Sequence, residues 1–110
     1  MARPGADGGP PRHELPEIDA AAMTAARWAD RLVAAARERG ATRWEAFLAP
    51  VPERLRDAGL RELRATALRA RAAYGPKDSI RDALPEEVVE PFRDALDLLL
   101  KAIAREENRR

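Results

Sequence analysis

At 110 residues, 45% hydrophobic but only 5% aromatic, the chain has material for one small core and none for a second. Twenty Lys and Arg against nineteen Asp and Glu leave a net charge of +1, too little to draw the protein to nucleic acid or acidic membranes at long range. Zero Cys excludes disulfides, thiolate chemistry and cysteine-ligated metal, and accords with a reducing cytoplasm.

Residues 1–17 carry four of the nine Pro and three of the six Gly. With few apolar side chains to bury, this segment is expected to be a disordered tail preceding a single helical domain over 18–110. It lacks the apolar centre of a signal peptide. No stretch anywhere reaches the ~18 consecutive apolar residues of a membrane helix, so a soluble cytoplasmic protein is expected.

Asp19 is a suitable N-cap for a helix running to Arg39, stopped by Gly40. Ala22, Ala25, Ala29, Leu32 and Ala36 form its apolar stripe, with Trp28 and Val33 at the edges. Thr42 and Glu45 have the spacing of a capping box, followed by Trp44, Phe47, Leu48 and Val51 at helical intervals. Pro50 and Pro52 end that short helix, and Pro52 suits the first turn of another, closed by Gly59.

A helix over 60–74 buries Leu60, Leu63, Ala67, Ala70 and Tyr74. Gly75-Pro76 stops it, and Ser79 with Asp82 has the spacing to cap a further turn. Pro91 is costly inside a helix, so residues 85–90 read as a separate turn and 91–107 as the last helix. Phe92, Leu96, Leu99 and Ile103 form the stripe of that helix, widened by Ala95, Leu98, Leu100 and Ala102. Alternating strand-like runs are absent. The expected fold is all-α, a compact bundle of four to five helices.

Catalysis lacks its residues. The chain has one His, one Ser and one Tyr, and His13 lies in the expected tail, where it cannot hold hydrogen-bond geometry to Ser79. The segment GPKDS has one Gly where a phosphate-cradling loop needs several, and reads as a helix stop and restart. Neither a metal-ligand pattern nor a cofactor motif is present, and no small-molecule substrate is evident. We therefore expect a non-enzymatic protein.

Two binding readings follow. In the first, the protein is a protein–protein interaction or regulatory module, homodimeric through its broad C-terminal helix. Its candidate interface residues are Trp28, Leu98, Leu100 and Ala102. In the second, it is a nucleic-acid-associated regulator, with candidate phosphate contacts at Arg61, Arg64, Arg71, Lys77 and Arg81. Base reading has little to work with, since the chain has no Gln and a single Asn, Asn108. The remaining aromatics, Trp44 and Phe47 among them, read as core.

Overall fold

The computed structural model describes residues 9–76 and 79–109. Among these the fold is all helical. A 3-10 turn at Arg12–Glu14 precedes α1 (Pro16–Glu38), α2 (Thr42–Leu48), α3 (Val51–Asp57), α4 (Leu60–Ala72), the single turn α5 (Ile80–Ala83) and α6 (Glu86–Asn108). Counting helices of seven residues or more gives five, the upper end of the expected bundle.

The core is one buried cluster built on the pair α1 and α6, with α1 also meeting α2 and α3. Helix α6 packs most extensively on α1 and also on α4. Arg105 near the end of α6 donates to Glu17 at the start of α1 (2.8 Å), so these two helices run antiparallel. Helix α1 presents Ala22, Ala25, Ala26 and Ala29, all fully buried, and α6 presents Phe92, Leu96, Leu99 and Ile103. Small side chains on one helix let the bulky ones of the other approach its backbone closely. The short helices α2 and α3 cover the remaining face of α1, contributing Leu48, Val51 and Leu55 to the core.

Three expectations require correction. The first concerns the tail: residues 1–8 lie outside the described residues, but residues 9–17 are ordered. Arg12 explains why. Its guanidinium donates to the carbonyl of Ala58 (2.8 Å) and to Asp19 (3.0 Å), and only 12% of its side chain is exposed. Gly9 lies so close to Leu60 that a Cβ there would sit 2.8 Å from the leucine Cβ. Helix α1 accordingly starts at Pro16, which fits the first turn because it has no amide to leave unpaired. Asp19 is then a first-turn partner for Arg12 instead of the cap.

The second concerns the Thr42 capping box, which does not form. Gly40, at φ +66°, ends α1 in a Schellman motif, with Ala41 N–H bonded to the Ala36 carbonyl and Gly40 N–H to that of Arg37. This reversal makes Ala41 the N-cap of α2, and Glu45 turns to Arg37 (2.9 Å).

The third concerns Pro91, which lies inside α6 without ending it. The carbonyl of Glu87 loses its amide partner, but Glu87 is exposed and Pro91 is on the outer side, so the opened rung faces water. Val89 and Phe92, buried on either side of the proline, hold both parts of the helix in the core. Because the proline cost is offset by tertiary packing and not removed, Pro91→Ala is expected to stabilise the protein by about 1–3 kcal/mol in chemical denaturation, with the helical circular dichroism unchanged.

Candidate functional site

The junction between α4 and α6 is where the sequence is densest in special residues. Helix α4 ends at Ala72, and the chain turns through Tyr74 and Gly75. On the far side of the loop, Ser79 accepts a hydrogen bond from the Arg81 amide (3.1 Å), and Ile80 N–H returns to the Ala73 carbonyl. Ser79 thus caps α5, as its spacing predicts. Lys77, a candidate anion contact, and Asp78 lie outside the described residues.

Tyr74 ties this junction to α6. Its ring is buried in the core, and its hydroxyl donates to the Val89 carbonyl (2.5 Å). The guanidinium groups of Arg71 and Arg81 stand 5.3 and 5.4 Å from the ring centre. Both are held by α6: Arg71 donates to Asp97 (2.8 Å) and Arg81 to Glu90 (2.8 Å). Arg64 faces Glu107 at 3.8 Å. These pairs run along the seam between α4 and α6 in antiparallel order, so Arg64, Arg71 and Arg81 already face carboxylates of the last helix. Arg61 is exposed and has no ion pair among the described residues.

The four candidate interface residues separate. Ala102 is corrected: it is a core residue, 2% exposed, because α6 needs a broad apolar face to meet both α1 and α4. Leu100 is half-buried on the flank that carries Asp97 and Glu107, toward α4. Leu98 is 62% exposed on the opposite flank. Trp28 is half-buried under Arg31, which lies 4.6 Å from the ring centre. Helical spacing puts Glu17, Ala21, Thr24 and Trp28 on one flank of α1. Since Glu17 holds Arg105, that flank adjoins the outer ridge of α6, and Trp28 and Leu98 share one surface.

That ridge consists of Glu87, Pro91, Asp94, Leu98, Lys101 and Arg105, at helical intervals. Asp97, four residues before Lys101, turns instead to Arg71 on α4. Lys101 has no ion pair among the described residues.

Trp44 and Phe47, read from sequence as core, are only half-buried. They meet edge to face, with centroids 5.7 Å apart, beside a cleft between α2 and α4 whose walls include Arg43 and Arg69. Sequence reasoning missed this cleft. Its one local signal is Arg43 beside Trp44; Arg69 reaches it only through folding. Among the described residues no cluster of His, Asp or Glu could hold a metal, and no helix is long and apolar enough to cross a membrane.

Burial, aided by the charge of Glu90, holds the Tyr74 phenol protonated well above the ordinary tyrosine range, against the smaller opposing pull of Arg71 and Arg81. A raised native pKa means the unfolded state releases this proton first. The contribution to stability is complete below pH 10.0, the ordinary value, and is lost as pH rises beyond it. The melting temperature should therefore fall more steeply above that pH than it does for Tyr74→Phe. Because Tyr74 is the only tyrosine, phenolate absorbance should appear only as the protein unfolds. At neutral pH, Tyr74→Phe is expected to cost about 0.5–1.5 kcal/mol through the lost hydrogen bond.

No family model, curated protein or solved structure matches this chain.

Proposed function

We propose that the protein is a non-enzymatic protein–protein interaction module that self-associates through the outer ridge of α6. The observation that carries the reading is Leu98, a large apolar side chain 62% exposed at the middle of a charged helix face. A single exposed leucine is ordinary on a protein surface. The charges around this one are what set it apart.

Along the ridge Glu87 and Asp94 precede Leu98, and Lys101 and Arg105 follow it. Two copies related by a two-fold axis near Leu98 would run their last helices antiparallel. Asp94 of each would then oppose Lys101 of the other, and the leucines would meet at the centre. A parallel arrangement would set like charge against like, so the pattern selects one orientation. Trp28, on the adjoining flank of α1, extends the apolar surface. One leucine and part of one tryptophan make a small contact, which corresponds to a weak and reversible dimer.

The alternative reading, phosphate contact through the arginines of α4, has less support. Two of its three helix residues, Arg64 and Arg71, face Glu107 and Asp97, and a phosphate would have to displace those carboxylates. A cytoplasmic location accords with the lack of Cys and belongs to the same proposal.

Sedimentation over a wide concentration range tests the reading. The expected result is concentration-dependent dimerisation that Leu98→Asp abolishes without lowering thermal stability. Asp94→Lys alone should weaken the dimer, and combining it with Lys101→Asp should restore it. A monomer at millimolar concentration, or dimers indifferent to all three changes, overturns the proposal.

A further inference from the structure

The cleft beside Trp44 and Phe47 supports an inference separate from self-association, because no residue of α6 lines it. It is an open space of about 500 Å³ between α2 and the end of α4, within the size range of small-molecule sites. Past Phe47 and Arg69, which line both spaces, it continues into a narrower recess of about 60 Å³ bordered by Arg54 of α3 and Thr66 of α4. Among the described residues no carboxylate lines either space.

The walls bring together three of the seven described arginines that reach no carboxylate. Nine of the described arginines reach a carboxylate. Arg43, Arg54 and Arg69 reach none among the described residues, and Arg43 only stands over the Trp44 ring, 5.2 Å from its centre. Guanidinium groups gathered without an anion repel one another and favour binding one.

A second, independent observation lies at the floor of the recess. The Thr66 hydroxyl is buried, in a residue only 3% exposed, and has no hydrogen-bond partner among the described residues. A buried hydroxyl left unpaired is destabilising, and such groups are nearly always satisfied by protein, water or ligand. An oxyanion placed here would accept from Thr66 and be neutralised by Arg54 and Arg69. The wider cleft, walled by Trp44 and Phe47, would then take a flat apolar group attached to it.

We propose that this cleft binds a small aromatic oxyanion, a carboxylate or phosphate joined to a planar body, with the anion on Arg54, Arg69 and Thr66 and the ring against Trp44 and Phe47. The role proposed for the site is binding alone: among the described residues no carboxylate or histidine that could act as general acid or base lines it.

Titration of the full chain with phenyl phosphate, phenylacetate, inorganic phosphate and benzyl alcohol tests the proposal, read by amide and indole N–H resonances. Trp28→Phe identifies the Trp44 indole signal. Saturable shifts with phenyl phosphate or phenylacetate are expected at Trp44, Phe47, Thr66 and Arg69, and which of the two binds tighter identifies the anion. Inorganic phosphate and benzyl alcohol should each bind at least about tenfold more weakly, because each offers half of the recognition. Arg54→Ala and Arg69→Ala should each weaken binding about tenfold or more. Thr66→Val, which keeps the side-chain shape, should weaken it several-fold while the melting temperature holds or rises. No saturable shift up to millimolar ligand at low salt, or affinity unaffected by the two arginine changes, overturns the site. Inorganic phosphate binding as tightly as phenyl phosphate overturns the aromatic half.

Discussion

The close approach of α1 to α6 is the constraint on which the rest of the structure depends. Alanines at 22, 25, 26 and 29 leave little side-chain bulk on the inner face of α1 between Ile18 and Leu32, so the large residues of α6 can approach its backbone. A stripe of alanine buries little apolar area by itself. Its helix is stable only while Phe92, Leu96, Leu99 and Ile103 cover it, and those residues are too many for one narrow helix to bury. Helix α4 must therefore close the other side, with α2 and α3 completing the shell around α1. The breadth of the apolar face on α6, which from sequence suggests a second chain, is used almost entirely within one molecule. What remains outside is Leu98 and, in part, Leu100 and Val88.

Arginine has two different uses in this protein. Arg12, Arg56, Arg64, Arg71, Arg81 and Arg105 join one element to another: to Asp19, Asp30, Glu107, Asp97, Glu90 and Glu17 respectively. Most of these pairs are partly solvated and each adds little stability. Their effect is to fix register, because a helix shifted by one turn would set them against the wrong partners. The seven described arginines that reach no carboxylate, with Lys101, are charges available to something outside the fold. Three of them, Arg43, Arg54 and Arg69, gather at the cleft between α2 and α4, and Lys101 is on the outer side of α6. Both proposals rest on that division, and neither needs a reactive group.

Tyr74 shows how a loop rich in special residues can be structural. A Gly, a Pro, a Lys and the only Ser invite comparison with a ligand loop. The residues described there instead make one join, in which the phenol bonds to Val89, two arginines flank its ring, and Ser79 restarts the helix. The aromatics one expects in a small core are divided accordingly. Phe92 and Tyr74 are inside, and Trp28, Trp44 and Phe47 are at its edge, where an arginine can stack on each tryptophan.

The sequence by itself determined the helical class, the buried stripes of α1, α4 and α6, the stop at Gly40 and the cap at Ser79. Each of these is a local matter of propensity, periodicity or a backbone angle that one residue can supply. Tertiary structure decided the order of residues 9–17, the passage of α6 through Pro91, the burial of Ala102 and the opening beside Trp44. It also decided which arginines are occupied. Arg71 and Asp97 are 26 residues apart in the chain, and Arg105 and Glu17 are 88 apart. No short-range rule pairs charges at such separations: a guanidinium finds its carboxylate only after the apolar faces have set the helices side by side.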